Sequence, residues 1–394
     1  MGVSVRVIGS TQIGHNLSKE EVLNMGGHLA GYCSSENTID EILDEDPKIT
    51  AIKRKITLEN GHHSVYGHAH YLLDIQGPKF LMMLLNARRV MNTSEKSARY
   101  TKMVLSEDEQ PLYDKWLGIF EGKILKEYPD IDGAEVVHGS RKSIKLAQEN
   151  ARYLTSVFTP TQMGHTLSFR ELNSAIYEFK QFIDNAEATP FNTQVKDTMQ
   201  EFIDDPTVQE LYVPKLNPSV KGGEGVEFIQ EDEFPREQFG SVYSVNYDLS
   251  FAGVAQTHRH RSLDYRIKLP KYPKFFIPPI IREDSELVSE WLKDIQSVAS
   301  HFPQGMLVEV NERGRIEAFR MKAYERLCGC AQLEIMQNTA DLAEKLLRNI
   351  EPLDPKISDK LKPLLNGPRC TFSDDGCPGD NCYFGPKNGV DRKI

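Results

Sequence analysis

Hydrophobic residues in the first half of the chain recur mostly at helical spacing, with one clear exception. The spacing predicts amphipathic helices at residues 39–43, 80–89 and 116–125. Residues 65–75 instead alternate between apolar and polar side chains, which predicts a strand. Gly77 and Pro78 then break the chain before the helix at residue 80 begins.

A similar order of elements is predicted after residues 205–225, whose proline, glycine and charged residues are typical of a linker. Residues 241–251 alternate as a strand, and Ala252 and Gly253 separate them from a helix with a basic end. Each half also runs into a long final helix, predicted at 167–183 and 315–347. The repeated order predicts a divergent internal duplication. Coincidence is the alternative, because strand-turn-helix units are common.

Length and composition agree with a globular protein that has more than one core. A chain of 394 residues predicts two domains of somewhat under 200 residues each. Hydrophobic residues make up 39% of the chain and charged residues 26%, which excludes disorder for most of it. Six cysteines are too few for a fold held together by disulfides.

The net charge and the length of the apolar runs indicate which kinds of partner the protein binds. With 47 basic and 57 acidic residues the net charge is −10, which disfavours wrapping a nucleic acid but permits a small anionic ligand in a local pocket. The most apolar run, from Phe80 to Leu85, is far shorter than the roughly 20 residues of a membrane helix. Residues 1–10 lack the pattern of a secretory signal. We therefore expect a cytoplasmic protein that binds neither nucleic acid nor membrane.

Two basic segments contain the best candidates for chemistry. Residues 86–100 combine four cations with serine and threonine hydroxyls, a set that suits a phosphate group. Residues 256–261 hold two arginines separated by a histidine, which can surround a pyrophosphate or a planar ring. In isolation, a solvated loop and a basic helix end are the competing interpretations. A metal site at the histidines of residues 62–70 is disfavoured, because no cysteine or carboxylate lies at a supporting spacing.

These segments resemble the flavin-dependent thymidylate synthases. Residues 61–100 are similar to that family's histidine strand and signature loop, which runs Arg-His-Arg, Ser, then Glu-x-Ser-x-Arg. The first half keeps the second part of the signature, as residues 94–100, but has Ala87-Arg88-Arg89 where Arg-His-Arg belongs. The second half keeps Gln256 and residues 259–261 and has lost the Glu-x-Ser-x-Arg part.

The later motifs of this family are divided between the halves in the same way. The first half has Arg152 where the family carries a phosphate-binding arginine, but Phe179 where its uracil-facing arginine would lie. The second half has Arg326 ahead of residues 331–335, which resemble the family's Ala-Gln-aromatic-Glu-Ile helix. The resemblance covers most of both halves, apart from the linker and the last thirty or so residues.

The resemblance implies one composite nucleotide site made by two non-equivalent halves. In the family, each site is shared between subunits of a homotetramer. Here the halves retain complementary contributions to a site for 2′-deoxyuridine 5′-monophosphate (dUMP). The implied substrate-binding residues are Gln256 and Arg259 from the second half and Glu95, Ser97, Arg99 and Arg152 from the first. A homodimer would then replace the tetramer.

The fold and its boundaries are also expectations from this resemblance. We predict an α+β fold of two tandem domains like thymidylate synthase complementing protein, each an antiparallel sheet packed with long helices, forming a pseudodimer. The first domain is predicted at residues 1–213 and the second at 214–362. A tail rich in cysteine, glycine and proline follows at 363–394.

The implied reaction is reductive methylation of dUMP to dTMP. Methylenetetrahydrofolate provides the carbon, FAD transfers the hydride, and NADPH reduces the flavin. Arg326 is the expected catalytic residue, because a permanent cation facing the uracil stabilises negative charge as C5 becomes nucleophilic. The implied FAD-binding residues are His62, Ser64, Arg259, His260, Arg261, Ser168 and Arg170. Serine at 168 replaces the asparagine of the family, and residues 311–313 are a possible displaced counterpart of that motif.

Three cysteines of the tail form a separate candidate site. Cys370, Cys377 and Cys382 are spaced by six and four residues in the sequence and would hold a structural zinc only with a fourth ligand from elsewhere. Cys328 and Cys330 are expected on one helix with side chains that face different ways. A redox role or plain thiols are the alternatives, and zinc is disfavoured.

Two other functions fit the same residues. One is a related enzyme that adds a methyl or hydroxymethyl group to C5 of a different uridine nucleotide. The other is a non-catalytic protein that binds flavin or nucleotide after duplication. The departures at Ala87 and Ser168 leave room for the first, whereas retention of Arg99, Arg152 and Arg326 argues against the second.

Overall fold

The structure is a computed structural model of the whole chain, and its arrangement is defined for most residues. The described residues are 2–12, 15–32, 35–99, 101, 103–133, 141–217, 226–230, 233–372, 382, 384 and 392–394. The strands are β1 (Ser4–Ser10), β2 (His70–Pro78), β3 (Met91–Glu95), β4 (Pro160–Ser168), β5 (Val242–Ser250), β6 (Asp264–Lys268) and β7 (Leu307–Arg315). Both sheets are antiparallel, which confirms the predicted α+β class.

The α-helices lie between and after these strands. They are α1 (Lys19–Tyr32), α2 (Ile39–Leu43), α3 (Pro47–Glu59), α4 (Lys79–Asn86), α5 (Glu109–Glu127), α6 (Lys142–Ala151), α7 (Phe169–Asn185), α8 (Pro190–Asp204), α9 (Pro206–Leu211), α10 (Phe251–Thr257), α11 (Ser285–Ser297), α12 (Ile316–Arg326), α13 (Leu333–Ile350) and α14 (Pro355–Ser358). No helix among the described residues is both long enough and apolar enough to cross a membrane.

The chain forms two compact units that do not follow the predicted domain boundaries. Unit 1 consists of residues 1–96 and 160–227, and unit 2 of residues 97–159 and 228–394. The predicted first domain, 1–213, is therefore interrupted by a segment that belongs to unit 2. The glycine-rich part of the predicted linker, residues 218–225, lies outside the described residues.

Unit 1 is built on a four-stranded sheet in the order β1-β2-β4-β3. Strand β4 is central, because it pairs with β2 from His70↔Ser168 to Pro78↔Pro160 and with β3 along its other edge. Every residue of α4 is buried, as its nearly continuous apolar sequence demands. This helix and the apolar face of the sheet form the core of unit 1.

Unit 2 is built on a three-stranded sheet in the order β5-β7-β6. Apart from α11, which lies between β6 and β7, the α-helices and strands from β5 to α12 follow the chain order β5, α10, β6, β7 and α12. Unit 1 has the order β2, α4, β3, β4 and α7 from β2 to α7. In both units the last of the three strands lies between the other two, giving the orders β2-β4-β3 and β5-β7-β6. The common topology is what a duplication of one ancestral unit predicts.

Helices α5 and α6 belong to unit 2 because their apolar faces complete its core. Trp116 of α5 meets Trp291 of α11 edge to face, with ring centroids 4.9 Å apart. Phe120 packs against the same indole, and all three rings are fully buried. Fully burying one such aromatic side chain contributes about 1.5–3 kcal/mol. The prediction of a first domain that includes these helices did not anticipate this packing.

Three local predictions were wrong. Residues 63–67 form a 3-10 turn, so the predicted strand at 65–75 begins only at His70 and continues through Gly77 and Pro78 as β2. The long helix predicted at 315–347 is interrupted at residues 327–332. The segment after Asp205, predicted as linker, starts with helix α9, which Asp205 caps by accepting hydrogen bonds from Thr207 and Val208.

Candidate functional site

The break between α12 and α13 lies at the centre of the candidate site in unit 2. Residues 327–332 form a turn, with Arg326 at the end of α12 and Gln332 immediately before α13. Leu327 is fully buried and fixes the start of this turn. The backbone and side chains of this segment contact Arg99 and Arg152, as well as Gln256. A continuous helix, as predicted, would not present the same groups.

Gln332 joins the residues predicted to bind the nucleotide. Its side-chain oxygen accepts hydrogen bonds from both the Arg152 guanidinium and the Gln256 amide. Its amide nitrogen donates to the Tyr153 hydroxyl. Gln332 and Arg152 are both buried. Arg152 comes from the first half of the sequence and Gln256 from the second, so one side chain connects the two halves within one chain.

Glu334 supports this arrangement from the first turn of α13. Its carboxylate accepts hydrogen bonds from the Tyr153 hydroxyl, at 2.8 Å, and from both the backbone N–H and the hydroxyl of Ser250, at 2.8 and 2.6 Å. The Ser250 hydroxyl in turn caps α10, the helix that carries Gln256. Burial raises the pKa of the Glu334 carboxyl, and these hydrogen bonds oppose the rise.

Two uncharged acceptors hold the Arg326 guanidinium, and the mostly exposed Glu325 carboxylate lies at the limit of an ion pair, 4.0 Å from its Nη2. Its Nε donates to the Nε2 of His260 at 2.7 Å, and its Nη2 donates to the Gln256 backbone carbonyl at 3.2 Å. Burial lowers the Arg326 pKa, and repulsion from Arg259 and Arg99 adds to the effect, against attraction from Glu325. An anionic ligand would relieve this repulsion.

His260 accepts from Arg326 because it is neutral. Burial lowers the His260 pKa to about 2, and repulsion from Arg326, Lys322 and His258 acts in the same direction. Only 7% of its side chain is exposed. The hydrogen bond at Nε2 requires the ring proton to lie on Nδ1.

Arg99 contacts the backbone of the same turn. Its guanidinium forms an ion pair with Glu149, near the end of α6, and donates to the Cys330 carbonyl at 3.1 Å. Arg99 and Arg152 repel each other, whereas Glu149 attracts both Arg152 and Arg392. The Ser97 hydroxyl accepts from the Arg99 backbone N–H at 3.3 Å, so it orders the segment that carries Arg99.

Not every predicted substrate residue joins this group. Ser97, Arg99, Arg152, Gln256, Arg259 and Arg326 all lie in unit 2, whereas Glu95 lies in unit 1. The Glu95 carboxylate accepts from Lys79 at 3.0 Å and from Asn86 at 3.3 Å, and its side chain is 2% exposed. A buried carboxylate paired in this way is not available to a nucleotide, so we leave Glu95 out of the proposed site.

One cation of the basic segment at 86–100 forms its ion pairs within unit 1. Arg88 donates to Glu178 at 2.6 Å and to Glu171 at 3.2 Å, both on α7. Attraction from these carboxylates raises the Arg88 pKa despite its burial. Arg88 therefore stabilises unit 1. This role differs from both interpretations of the segment, a phosphate site and a solvated loop.

The residues predicted to bind FAD are divided between the units. His62, Ser64 and Arg170 are exposed on unit 1, whereas Ser168 is buried there and accepts from the Glu171 backbone N–H as the cap of α7. Arg259, His260 and Arg261 follow α10 in unit 2. Burial lowers the Arg261 pKa, and repulsion from Arg259 adds to this effect. The buried, capping Ser168 does not fit a cofactor contact.

The Asn311–Arg313 segment does not act as a displaced flavin motif in this structure. Glu312 is fully buried in β7 and pairs with Lys322 at 2.6 Å, and it accepts from the hydroxyls of Tyr243 and Tyr247. Asn311 is also buried and bonds to neighbouring strand residues. These contacts hold β5, β7 and α12 together.

The cysteines are arranged differently from the prediction. Cys328 and Cys330 lie in the turn between α12 and α13, and their thiols contact each other, which corrects the expectation that they face apart on one helix. The thiol of Cys382 also contacts Cys330. Contact with the Cys330 thiol lowers the pKa of both Cys328 and Cys382. Cys377 lies outside the described residues, and among those described no three potential ligands form a metal site.

Several residues of the site were missed from the sequence. Gln332 and Glu334 stand in the motif at 331–335, and their roles follow only from the break before α13. Tyr153 directly follows Arg152 in the sequence and Glu149 lies three positions before it, and that proximity was a usable signal. Arg392 donates to the Gly329 and Ala331 carbonyls, at 2.8 and 2.5 Å, and no motif pointed to it.

Comparisons with known proteins find similarity over part of the chain. The family model described as "Thymidylate synthase complementing protein" matches residues 27–180, which confirms the predicted resemblance. No curated protein matches the chain. The match covers residues of both structural units but not the second half of the sequence, so the duplication stays a prediction.

Similar solved structures include two kinds of enzyme. One is a thymidylate synthase X from Helicobacter pylori, solved with FAD and dUMP, at 15% identity and a TM-score of 0.33 over 54% of this chain and 99% of that chain. Another is a UMP/dUMP methylase, PolB, from Streptomyces cacaoi, bound with 5-Br dUMP, at 14% identity and a TM-score of 0.30 over 54% of this chain and 97% of that chain.

Proposed function

We propose that the protein is a flavin-dependent thymidylate synthase whose nucleotide site is assembled by one chain. The substrates would be dUMP, methylenetetrahydrofolate and NADPH, and the product dTMP. The observation that carries the proposal is the Gln332 side chain, which binds Arg152 from one half of the sequence and Gln256 from the other. The match of residues 27–180 to the family model supports the class of reaction.

The residues of unit 2 have the chemistry that this reaction requires. Arg99 and Arg152 would bind the 5′-phosphate through charge-assisted hydrogen bonds, with Ser97 ordering the Arg99 segment. Gln256 and Arg259 would contact the nucleotide from the second half. FAD, when bound, supplies the hydride. We place its pyrophosphate at Arg259 and Arg261, where adjacent cations repel each other.

Arg326 would act on the uracil ring. A guanidinium that stays protonated stabilises the negative charge that develops at N3 and O2 as C5 attacks the carbon donor. Neutral His260 and the Gln256 carbonyl fix the direction of this guanidinium without neutralising it. Two polar acceptors therefore orient the cation while its charge remains available to the substrate.

A common origin of the two halves explains the composite site. The equivalent strand orders of the two units support a fused duplication, after which each half kept one part of the site. We further propose a homodimer in place of a tetramer. Each chain would then carry one complete nucleotide site.

A related reaction on another uridine nucleotide is the second candidate. The pairing of Glu95 with Lys79 removes one expected nucleotide contact and favours altered recognition. The purified protein, examined first for a flavin spectrum, would be given methylenetetrahydrofolate and NADPH with dUMP or UMP, and products would be separated by mass. Formation of dTMP supports the first proposal, and a modified UMP the second. A protein without flavin and without turnover contradicts both.

Arg326→Ala tests the catalytic assignment. The variant should lower kcat by on the order of 10²-fold, because one fixed donor at the developing charge is lost. Arg348→Ala is the matched control, since it removes an exposed cation from α13 in the same unit. Full activity in Arg326→Ala would remove this residue from the site.

A further inference from the structure

We propose that Arg392 contributes a third guanidinium group to the phosphate subsite and that the Glu149 carboxylate competes with the substrate phosphate for these groups. The inference rests on the proposed function, because it concerns the subsite assigned to the 5′-phosphate. It adds one cation that no sequence motif indicated and one carboxylate that sets how strongly the subsite attracts an anion.

Arg99 and Arg392 bind three consecutive carbonyl groups of one turn. Arg392 donates from Nη1 to the Gly329 oxygen at 2.8 Å and from Nη2 to the Ala331 oxygen at 2.5 Å. Arg99 donates from Nη2 to the Cys330 oxygen between them at 3.1 Å. The two guanidinium groups are therefore neighbours on the segment that ends at Gln332.

Arg152 reaches the same place through Gln332. Its Nη2 donates to the Gln332 oxygen, and it repels Arg99. Within the part of the chain that the structure describes, neither the Nε of Arg152 nor the Nε of Arg392 has a hydrogen-bond acceptor. Both side chains are buried, so each leaves a donor without the water that would otherwise bind it.

Glu149 is the carboxylate that these arginines share. It pairs directly with Arg99 and attracts both Arg152 and Arg392. It is 4% exposed, and it lies near the end of α6, three positions before Arg152. The thiol of Cys382 and the phenol of Tyr128 attract Arg392 more weakly than Glu149 does, and Arg99 repels it, so Glu149 is the main but not the sole counter-charge of Arg392.

Three guanidinium groups around one carboxylate favour a second anion. Burial lowers the pKa of both Arg152 and Arg392, which shows how poorly water stabilises these cations. A phosphate monoester carries two negative charges and several acceptor oxygens, and guanidinium donors bind it in forked pairs. The subsite is therefore suited to a nucleoside monophosphate and has little to offer the uncharged nucleoside.

Two substitutions of opposite expected sign test the inference. Binding of dUMP, deoxyuridine and inorganic phosphate to the full-length protein would be measured by calorimetry. Arg392→Met should weaken dUMP and phosphate binding about 10-fold or more, because a charged donor is lost, and leave deoxyuridine binding unchanged. Glu149→Gln should strengthen dUMP and phosphate binding about 3-fold or more, because the competing charge is removed. Lys393→Met is the matched control, since Lys393 pairs instead with Glu127 and Glu283.

The outcomes distinguish a specific loss of phosphate binding from a general loss of structure, and they test this inference separately from the proposed function. Weaker dUMP binding in Glu149→Gln, or equal losses for dUMP and deoxyuridine in Arg392→Met, would overturn the inference. Arg392→Lys provides a second variant if the methionine variant fails to fold. Its affinity for dUMP and phosphate should lie between that of the wild type and that expected for the methionine variant. If inorganic phosphate follows the expected pattern while no uridine nucleotide is turned over, the subsite stands and the proposed function fails.

Discussion

His260 shows how one buried side chain determines the electrostatics of its neighbours. It is faced by Arg326 and Lys322 from α12 and by His258 from its own segment, and each repels a proton on its ring. Glu325, 3.8 Å away, is the opposing charge, but 64% of its side chain is exposed to water, which screens it. His260 therefore remains an acceptor for Arg326 at all pH values at which the enzyme would work.

The pH dependence of stability follows from this lowered pKa. The folded protein holds the His260 pKa at about 2, whereas the unfolded chain binds a proton near pH 6.5. The unfolded state thus gains stability as pH falls below about 6.5, and the free energy of unfolding decreases by up to about 1.4 kcal/mol per pH unit. His260→Gln should remove this slope between about pH 5 and 6.5, measured by urea unfolding at several pH values. His68→Gln, in an exposed side chain, is the control, and an unchanged slope in His260→Gln would contradict the assignment.

At the residue scale, the sequence predicted the cations of the site better than their partners. Arg99, Arg152 and Arg326 stand in recognisable motifs, because phosphate and uracil recognition requires guanidinium groups at particular places. The partners Gln332 and Glu149 are ordinary polar residues until the chain folds. Their roles depend on distances set by tertiary structure, and spacing in the sequence does not encode those distances.

At the scale of elements, Ser168 illustrates how a capping residue can resemble a binding residue. Its hydroxyl accepts from the Glu171 backbone N–H at 3.1 Å at the start of α7. The same position was predicted to contact FAD, because the family carries asparagine there. Asparagine is also a good helix cap, so a motif at this position has a structural explanation as well as a functional one.

Ser168→Ala should lower the stability of the protein without releasing flavin. Loss of the cap costs about 1 kcal/mol of unfolding free energy, whereas Ser168→Asn preserves a capping oxygen and should lose little. Urea unfolding and titration of the apoprotein with FAD measure the two effects. Ser174→Ala, which removes a hydroxyl from the interior of the same helix, is the control. If Ser168→Ala weakens FAD binding and Ser174→Ala does not, the result would support the predicted contact between Ser168 and FAD.

The break between α12 and α13 was the element that the sequence concealed. Hydrophobic spacing from 315 to 347 fits a single helix, and no proline interrupts it. The helix nevertheless ends at Arg326, and the carbonyls of the following turn are satisfied by Arg99 and Arg392, side chains distant in sequence. Long-range hydrogen bonds of this kind stabilise a helix end that local propensity does not indicate.

At the scale of the whole molecule, the sequence predicted the two-part organisation but not the course of the chain. The alternating patterns predicted parts of β2 and β5 but none of the other five strands described. The helical spacing matched, at least in part, α2, α4, α5, α7, α10, α12 and α13. They did not show that residues 97–159 would join unit 2, because that choice depends on Trp116 and Phe120 packing with Trp291. The predicted site residues at 97–152 come from the first half of the sequence, yet they lie in unit 2 together with those of the second half.

Mixing two inactive variants tests whether the site belongs to one chain. The charges of Arg99 and Arg326 act on each other within unit 2 of a single chain. Arg99→Ala mixed with Arg326→Ala should therefore recover no activity beyond the sum of the separate variants. A site shared between two chains would instead regain a complete set of residues in mixed dimers. Assays of mixtures after co-refolding, with wild type mixed with either variant as the control, distinguish these outcomes.

The path of the chain through unit 1 also has a consequence for folding during synthesis. Strands β2 and β3 both pair with β4, yet β3 ends at residue 95 and β4 begins at residue 160. While the ribosome makes the intervening segment, β4 does not yet exist. The edges of β2 and β3 that will pair with β4 therefore keep unpaired backbone N–H and C=O groups. Helices α5 and α6, which contact each other locally, can form a hairpin in this interval. The nascent chain is therefore most prone to aggregate just before residue 160 emerges, and a chaperone would be most useful at that point.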